Sequence, residues 1–509
     1  CRGGRMLNEE TYENFWELFG SIPSLNNPDR SVTEEILNFD HAHPTHAKAR
    51  LVDKDGNILD VRSMGFTQEE RMALLKLMNT PEDKLDDMTI EQWFADMPHF
   101  FTTNFWYMWQ TTFAFQKWSS LFEFRRYMRR MILEFSRIET LEGVTRTPLN
   151  QYDSVIKPLE TYLRDKGVNF IENCTVTDID FADGDGITAK TLHLDDNGEE
   201  KTVEIQAGDI CIMTNACMTD SATLGDLHTP APEPELKPIS GELWSKVTMK
   251  KPGLGNPEPF FGDVHETNWE SFTVTSRGNK LLKMIEDLTG NVPGSGALMT
   301  FKDSNWLMSI VIAAQPHFIN QPMDETIFWG YGLYTDHVGD YVKKPMRACT
   351  GKEICMEWLY HIGVPEDQIE ELAENSANTV PVMMPYIDAF FMPRAYGDRP
   401  KVVPDGAVNF AFLGQFAETP RDTIFTTEYS MRTGMEAVYT LLNIDRGVPE
   451  VWGSVYDVRD LLDATVKLRD GKKPIDMELN LVEKMALKKV LGKIEGTDIE
   501  KLLKEYHII

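Results

Sequence analysis

The sequence is poor in cysteine, in basic residues and in long apolar runs, and each shortage argues against a class of protein. Its 509 residues include only six cysteines, none of them in a CxxC pair, which favours a reducing, cytoplasmic compartment over a disulfide framework. Lysine and arginine number 51 against 80 aspartates and glutamates, and the net charge of -29 repels phosphate backbones, which argues against nucleic-acid binding. No apolar stretch approaches the roughly 20 residues that a membrane-spanning helix needs.

What remains is the composition of a globular protein with two or three domains. The residues are 42% hydrophobic and 26% charged, with no bias towards disorder. The chain opens with CRGGRM, without an initiator methionine or a signal-peptide pattern, so we expect the natural N-terminus to lie upstream.

Hydrophobic periodicity and turn residues predict a mixed order of helices and strands. Helical spacing covers residues 12–19, 67–78, 90–97, 104–135, 154–166, 351–361, 427–442 and 480–509. Apolar or alternating runs predict strands at 168–172, 174–181, 187–194, 201–206, 209–216, 297–301, 306–312, 326–333 and 408–414.

The order of elements between residues 154 and 216 is helix, parallel strand, three-stranded meander and buried return strand. FAD domains of the glutathione-reductase type share this order. The alternative is a bare meander inserted into another α/β domain. Prolines at 230, 232, 234 and 238 mark the predicted crossing into a second domain.

Two segments have features of an anion or flavin site. Residues 408–442 run from strand through Gly414 and a polar loop to a helix N-terminus, whose free N–H groups can hold a pyrophosphate. The stretch from Arg2 to Arg5 combines two glycines, Gly3 and Gly4, with anion-pairing arginines. An ordinary turn and an ordinary loop are the alternatives.

Three further patterns allow a functional and a structural interpretation. The histidines of HAHPTH (residues 41–46) are closely spaced but lack supporting ligands, so no metal site is predicted. The RRYMRR run (residues 125–130) stacks arginines at i,i+4, which indicates either an anionic partner or acidic neighbours. The aromatic segment 100–118 is predicted to pack in the core, with a lipid-lined tunnel as the other interpretation.

Together these pieces resemble the oleate hydratases, a family also known as the myosin-cross-reactive antigens. The resemblance covers residues 2 to about 465. It is carried by RGGRM, FWELFGSIPSL, TNFWYMWQTTFAFQKW, RRYMRR, NQYDSVIKPLE, SNWLMSI, QPHF, EWLYHIGVP, NTVPVMMPYI, PRAYGDRPKVVPDG and AFLGQFAETPRDTIFTTEYSMRTGMEAVY.

The resemblance implies an α/β fold with an FAD-binding domain of the glutathione-reductase type, an inserted substrate domain and a helical C-terminal region. We expect the FAD domain to be discontinuous over residues 1–40, 141–229 and 396–445, and to lack its glycine-rich N-terminal βαβ unit. The substrate domain is expected at 41–140 and 230–395, and the helical region at 446–509.

The resemblance also implies roles for residues that match the family's motifs. Tyr127 corresponds to the proton-donating tyrosine, Gln151 to a substrate-contacting glutamine, and His317 to a histidine near the fatty-acid carboxylate. The residues expected to bind FAD are Arg2, Gly3, Gly4, Arg5, Val176, Thr214, Gly414, Gln415 and Thr427.

Two departures from the family pattern bear on these roles. Met6 stands where the family has its water-activating glutamate, so water would be held by the backbone of residues 3–6, or by Glu9 or Glu10 if the loop bends back. Val311 and Ala313 replace a threonine and an asparagine that precede QPHF, which changes the expected carboxylate contact.

The implied activity is hydration of the cis double bond of oleate or linoleate to a 10-hydroxy acid, FAD-dependent but without net redox change. Tyr127 would protonate the alkene, and the neighbouring arginines are expected to favour its phenolate. The alternatives are a flavin-dependent lipid oxidoreductase or isomerase, and a non-catalytic fatty-acid-binding protein. A homodimer is implied, and the lysine-bearing C-terminal helix (residues 482–503) could contact a membrane surface or pack in that dimer.

Overall fold

The computed structural model describes residues 3–234, 239–296, 298–451, 454–477 and 479–509. The α-helices among them are α1 (Glu13–Phe19), α2 (Val32–Ala42), α3 (Gln68–Asn79), α4 (Ile90–Trp93), α5 (Asn104–Phe113), α6 (Leu121–Arg130), α7 (Ile132–Phe135), α8 (Lys157–Asp165), α9 (Ile239–Thr248), α10 (Glu258–Phe261), α11 (Val264–Thr267), α12 (Lys280–Thr289), α13 (Gly351–His361), α14 (Glu366–Asn375), α15 (Thr427–Leu441), α16 (Val458–Leu468), α17 (Leu481–Ile494) and α18 (Asp498–Glu505).

The strands are β1 (Met6–Leu7), β2 (Leu51–Val52), β3 (Thr145–Arg146), β4 (Cys174–Phe181), β5 (Ala189–Asp196), β6 (Glu199–Glu204), β7 (Cys211–Thr214), β8 (Thr223–Leu224), β9 (Trp269–Arg277), β10 (Leu298–Phe301), β11 (Met308–Val311), β12 (Glu325–Gly332), β13 (Ala377–Met384) and β14 (Phe410–Leu413). With helices and sheets interleaved along the chain, the predicted mixed α/β class is confirmed.

Four sheets organise these strands. The largest has seven strands in the order β2-β10-β11-β12-β9-β13-β8, antiparallel in each pairing except β2 with β10. The predicted meander forms the separate antiparallel sheet β4-β5-β6, and β7 pairs in parallel with β14. The short strands β1 and β3 form an antiparallel pair next to the first residues described.

Two hydrophobic cores flank the large sheet. The first is aromatic and centres on α5 and α6, where Trp106, Trp109 and Phe124 are almost fully buried. The second lies under α12, α13 and α14, against the other face of β9 and β12. The interpretation of the aromatic segment as core is confirmed. Among the described residues, every helix is too short or too polar to span a bilayer.

Local sequence signals explain where several helices begin and end. The side chain of Thr67 accepts a hydrogen bond from the backbone N–H of Glu70, whose carboxylate accepts one from the N–H of Thr67, so α3 begins as predicted. The same reciprocal cap starts α13 at Thr350. The predicted aromatic helix is interrupted at Ala114, whose φ of 63° is left-handed and ends α5.

Four other predictions differ from the structure. Residues 168–172 form no strand, and Ile171 is 72% exposed. In β7, Ile212 is exposed, so this strand is not the buried one that was expected. The helix predicted over 90–97 is only the single turn α4. The C-terminal segment is two helices, because Gly496 at φ 76° turns the chain between them.

Candidate active site

The first described residues are held beside the segment that carries Gln151. Met6 lies opposite Arg146 in the β1-β3 pair. The backbone N–H of Arg5 donates to Thr147 Oγ1 at 3.0 Å, and the N–H of Gln151 donates to the carbonyl of Gly3 at 2.9 Å. The RGGRM and NQYD motifs, far apart in the chain, therefore form one unit.

His317 joins the same unit through a backbone contact. Its carbonyl accepts from the N–H and the side-chain amide of Asn150, at 2.8 and 3.0 Å. Its ring is almost completely buried, and a Cβ on Gly4 would lie 3.7 Å from the imidazole Cε1. A Cβ on Gly3 would lie 3.3 Å from the Trp329 ring, so both glycines allow a close approach of the backbone.

A cavity of about 30 Å³ lies where these segments meet, and we call it the His317 cavity. Its lining consists of Gly4, Arg5, Met6, Phe39, Arg146, Thr147, Gly294, Val311, Ala313, Ala314, His317 and Trp329. The volume accommodates a water or a small polar group. Met6, Val311 and Ala313, the three positions singled out in the sequence, all line this one cavity.

Two buried guanidinium groups give the cavity its charge. Arg146 donates from Nη1 to the carbonyl of Gly296 at 2.5 Å, while its buried Nε and Nη2 have no hydrogen-bond partner in the part of the chain that the structure describes. Burial lowers the pKa of Arg146 to about 10, with Asp40 only partly opposing this. Arg5 donates from Nη2 to the carbonyl of Phe425 at 2.9 Å, and its Nε also lacks a partner. A buried cation with unsatisfied donors favours an anionic ligand.

Tyr127 lies behind this cavity, in the aromatic core. Its ring packs against those of Phe113, Phe115 and Phe391, with centroid distances of 5.0, 5.1 and 5.8 Å. Its hydroxyl donates to the carbonyl of Ile424, the neighbour of the carbonyl that accepts from Arg5. The loop at residues 424–425 therefore connects the phenol to the cavity wall. Tyr127 is 1% exposed.

The expectation that neighbouring arginines favour the phenolate of Tyr127 is wrong. Burial raises the pKa of Tyr127 well above its ordinary value, and Tyr12 and Glu123 raise it further. Arg5 opposes this rise, whereas Arg126 and Arg130 are bonded to carboxylates. Tyr127 is therefore a protonated phenol, and proton donation requires stabilisation of the anion that it leaves.

Glu9 and Glu10 do not replace the missing glutamate at Met6. Both side chains are exposed: Glu9 accepts from His41 at 2.9 Å, and Glu10 pairs with Arg137 at 2.6 Å. The expected bending of the loop towards the cavity is contradicted, because the β1-β3 pairing carries these residues to the surface.

The two strands β7 and β14 end beside the N-terminus of α15. Gly414 follows β14 at φ 85°, a conformation that suits glycine, and its ideal Cβ would lie 3.5 Å from the Thr214 side chain. Thr427 Oγ1, in the first turn of α15, and Asn215 Oδ1 are buried without a hydrogen-bond partner. Of the two, only the Thr427 hydroxyl can donate to an anion, and it lies at a helix N-terminus, which is a suitable environment for an anionic group.

Gln415 is already bonded within this loop. Its amide nitrogen donates to the carbonyl of Thr426 at 3.1 Å and to Ser430 Oγ at 2.8 Å, and its oxygen accepts from the N–H of Phe425. Val176 lies on β4, in the separate meander sheet, next to a β-bulge. Arg2 lies outside the described residues.

The other patterns singled out in the sequence have local partners. His41 contacts Glu9, His43 contacts the carbonyl of Phe39, and His46 contacts Glu142, so these imidazoles have separate partners. The RRYMRR arginines do have the acidic neighbours that one interpretation required: Glu82 contacts Arg125 and Arg126, Glu418 contacts Arg126, and Asp422 contacts Arg130.

Sequence reasoning missed Arg146. The signal that could have identified it is its position in TRTP, four residues before NQYD. A basic residue so close to a predicted binding motif can be expected to lie buried beside that motif. Its partner across the strand pair, Met6, was the position already singled out.

Comparison with known proteins places these observations in a family. A sequence model described as "MCRA family" matches residues 1–439. An oleate hydratase of Streptococcus pyogenes serotype M49 (strain NZ131) is 42% identical over 521 residues, covering 100% of this chain and 87% of that protein. A linoleate hydratase of Lactiplantibacillus plantarum is 41% identical over 497 residues, covering 92% of this chain and 87% of that protein.

Solved structures are more distant. The crystal structure of an oxidoreductase from Methanosarcina mazei is 10% identical, with a TM-score of 0.39, over 79% of this chain and 85% of the other. At this level of similarity it adds nothing to the assignment of the site.

Proposed function

The chain belongs to the MCRA family, and on that premise we propose that it hydrates unsaturated long-chain fatty acids, adding water across a cis double bond. Oleate and linoleate are the proposed substrates and 10-hydroxy acids the products. The observation that carries the proposal is a cavity lined by two guanidinium groups with buried, unbonded N–H donors, near a buried phenol.

The substrate carboxylate binds in the His317 cavity. Arg146 offers two unsatisfied N–H donors there, and His317 lines the same wall. A carboxylate satisfies such a fork with parallel, charge-assisted hydrogen bonds. Gln151, which follows Asn150 in the chain, fixes the adjoining wall by its backbone contact with Gly3. The apolar chain extends among the aromatic side chains of the first core, which must shift because the cavity itself is small.

Tyr127 is the acid. Its hydroxyl proton forms the new C–H bond at one alkene carbon, and the oxygen of a water molecule forms the new C–O bond at the other. The proton that this water loses returns to the phenolate, so the reaction transfers no electrons. Arg5 stabilises the transient phenolate, since it is a cation that lowers the pKa of Tyr127.

FAD is the proposed cofactor, and part of its site fits the residues present. Thr427 and the N-terminus of α15, Gly414 and the end of β7 at Thr214 would hold an anionic portion of the cofactor, with Gly3 and Gly4 allowing close backbone approach. When bound, a flavin supplies charge and a planar surface rather than a redox step. Gln415 supports the loop rather than reaching into it.

Peripheral membrane contact and a homodimer complete the proposal. The C-terminal helices expose large apolar side chains beside lysines 484, 488, 489 and 493; the apolar residues are Leu481, Val482, Met485, Val490 and Ile499. Such a surface can rest on a bilayer that contains free fatty acid.

Mass spectrometry of the product tests the function directly. The chain is incubated with FAD and oleate in D2O, and the expected product carries one added water and one deuterium on carbon. A product that has lost two hydrogens would instead indicate an oxidoreductase, and an isomer of unchanged composition would indicate a double-bond isomerase. Bound but unaltered oleate would indicate a fatty-acid-binding protein.

A further inference from the structure

A second cavity, of about 230 Å³, lies on the opposite side of α6 from the aromatic core. Five arginines line it: Arg125, Arg126, Arg129 and Arg130 of α6, and Arg421 of the loop before α15. One acidic side chain, Glu82, shares the lining. We call it the arginine cavity. In a chain with a net charge of -29, a concentration of five cations around one space requires a physical reason.

Protein carboxylates compensate only part of this charge. Arg126 and Arg130 are paired with Glu418 and Asp422. Glu82 accepts from Arg125 at 3.3 Å and also from Arg126 at 3.1 Å, so Arg125 shares its carboxylate partner. Arg129 donates to the carbonyl of Met78 at 3.0 Å and forms no ion pair with a described residue. Among the described residues, the one acidic partner of Arg421 is Glu450, at 3.8 Å, and both of those side chains are exposed.

The like charges repel one another. Arg125 and Arg129 are one helical turn apart, where equal charges destabilise a helix. The pKa of Arg125 is lowered by burial, and Arg129 and Arg126 lower it further against the opposing effect of Glu82. Its Nε is also buried without a hydrogen-bond partner. The cavity therefore presents an unsatisfied donor in a positive field.

We propose that the arginine cavity binds a phosphate group. Guanidinium forks match phosphate oxygens in two parallel hydrogen bonds, and several arginines around one space are typical of phosphate recognition. Pockets for whole drug-sized ligands begin at roughly 300 Å³, so 230 Å³ suits an anionic headgroup rather than an acyl chain. Tyr456, 72% exposed, borders the opening and leaves it accessible from solvent.

Two sources of phosphate share this chemistry, a free phosphate compound and a phospholipid headgroup. Both would contact the same helix that carries Tyr127, although on its other face. The proposal does not depend on the hydratase activity.

Calorimetric titration of the full chain with inorganic pyrophosphate, at constant ionic strength, tests the site. With FAD present at saturation, so that the site proposed at α15 is occupied, one binding event per chain is expected. The double variant Arg129→Gln/Arg421→Gln should weaken it at least about tenfold, because these two cations have the poorest protein partners. Arg164→Gln is the matched control, since that exposed arginine on α8 pairs with Glu160 and its loss removes a positive charge without touching the cavity.

The source is distinguished by sedimentation with vesicles of phosphatidylglycerol or of phosphatidylcholine. A headgroup ligand predicts binding to phosphatidylglycerol that falls in the double variant and is competed by pyrophosphate. A free phosphate ligand predicts vesicle binding that the double variant leaves unchanged. The single variant Arg421→Gln changes an exposed side chain, so weaker pyrophosphate binding by this variant cannot be attributed to misfolding. Absence of pyrophosphate binding in the wild type, or equal weakening in Arg164→Gln, would overturn the proposal.

Discussion

Replacing Arg146 by glutamine tests whether this buried guanidinium holds the fatty-acid carboxylate. Burial lowers the pKa of Arg146 from the ordinary arginine value to about 10, which at about 1.4 kcal/mol per pKa unit corresponds to roughly 3 kcal/mol of unfavourable burial. A carboxylate against Nε and Nη2 offsets this cost, because hydrogen bonds to charged groups contribute roughly 1.5–3 kcal/mol each. We expect Arg146→Gln to weaken binding of the fatty acid about 10- to 100-fold.

The assay compares two ligands that differ only at the headgroup. Oleate carries the carboxylate and oleyl alcohol does not, so their affinities for wild type and variant form a cycle that isolates the headgroup contact. Wild type should prefer oleate, and Arg146→Gln should lose that preference while its affinity for the alcohol stays the same. The value of kcat should change little, because the contact is made equally before and during reaction. Arg164→Gln again serves as control.

Two results would refute this reasoning. In one, Arg146→Gln retains the full preference for oleate; in the other, both ligands are weakened by the same factor, which would indicate a general distortion. Thermal denaturation identifies the second case, because a general distortion would lower the Tm whereas the loss of a ligand contact would not. Glutamine is too short to reach the carbonyl of Gly296 but removes a buried charge, so no large fall in the Tm of the variant is expected.

Three further predictions concern catalysis and stability. Tyr127→Phe should lower kcat by roughly 10²- to 10⁴-fold, with calorimetric oleate affinity retained; near-normal turnover would remove Tyr127 from its role. Burial raises the pKa of Glu428 to about 7, so the contribution of this residue to stability falls by about 3 kcal/mol as the pH rises from about 4 to about 8. Denaturant unfolding of wild type and Glu428→Gln at both pH values should show this difference, and a difference that does not change with pH would contradict it. Gly351→Ala should lower the free energy of unfolding by about 1–3 kcal/mol, because a Cβ there would meet the carbonyl of Thr379. Gly434→Ala, with open space around it in α15, should leave the free energy of unfolding unchanged or raise it by up to about 1 kcal/mol.

Elements with strong local signals were predictable from the sequence. Capping residues set the start of α3, and the turn sequences DGDG and DDNG set the meander β4-β5-β6. The strand, Gly414, loop and helix order around α15 was likewise predicted correctly. These features depend on residues within a few positions of one another, so periodicity and turn chemistry are enough.

Elements that depend on distant partners were not predictable in the same way. Residues 168–172 have the composition of a strand, but a strand forms only where a neighbour supplies hydrogen bonds, and none does among the described residues. The raised pKa of Tyr127 has a similar origin. The arginines next to it in sequence point to Glu82, Glu418 and Asp422, whereas burial by remote phenylalanines determines its environment.

The three departures from the family pattern, which lie in two distant parts of the chain, act in one cavity. Residue 6 lies across from Arg146, so a glutamate there would face and neutralise this cation, whereas Met6 leaves its Nε and Nη2 without partners. Val311 and Ala313 remove polar side chains from the same lining. In the proposed mechanism these replacements leave Arg146 as the partner of the substrate carboxylate. With no carboxylate at residue 6 to accept a proton from water, Tyr127 would both donate and recover the proton, and Arg5 would stabilise its phenolate.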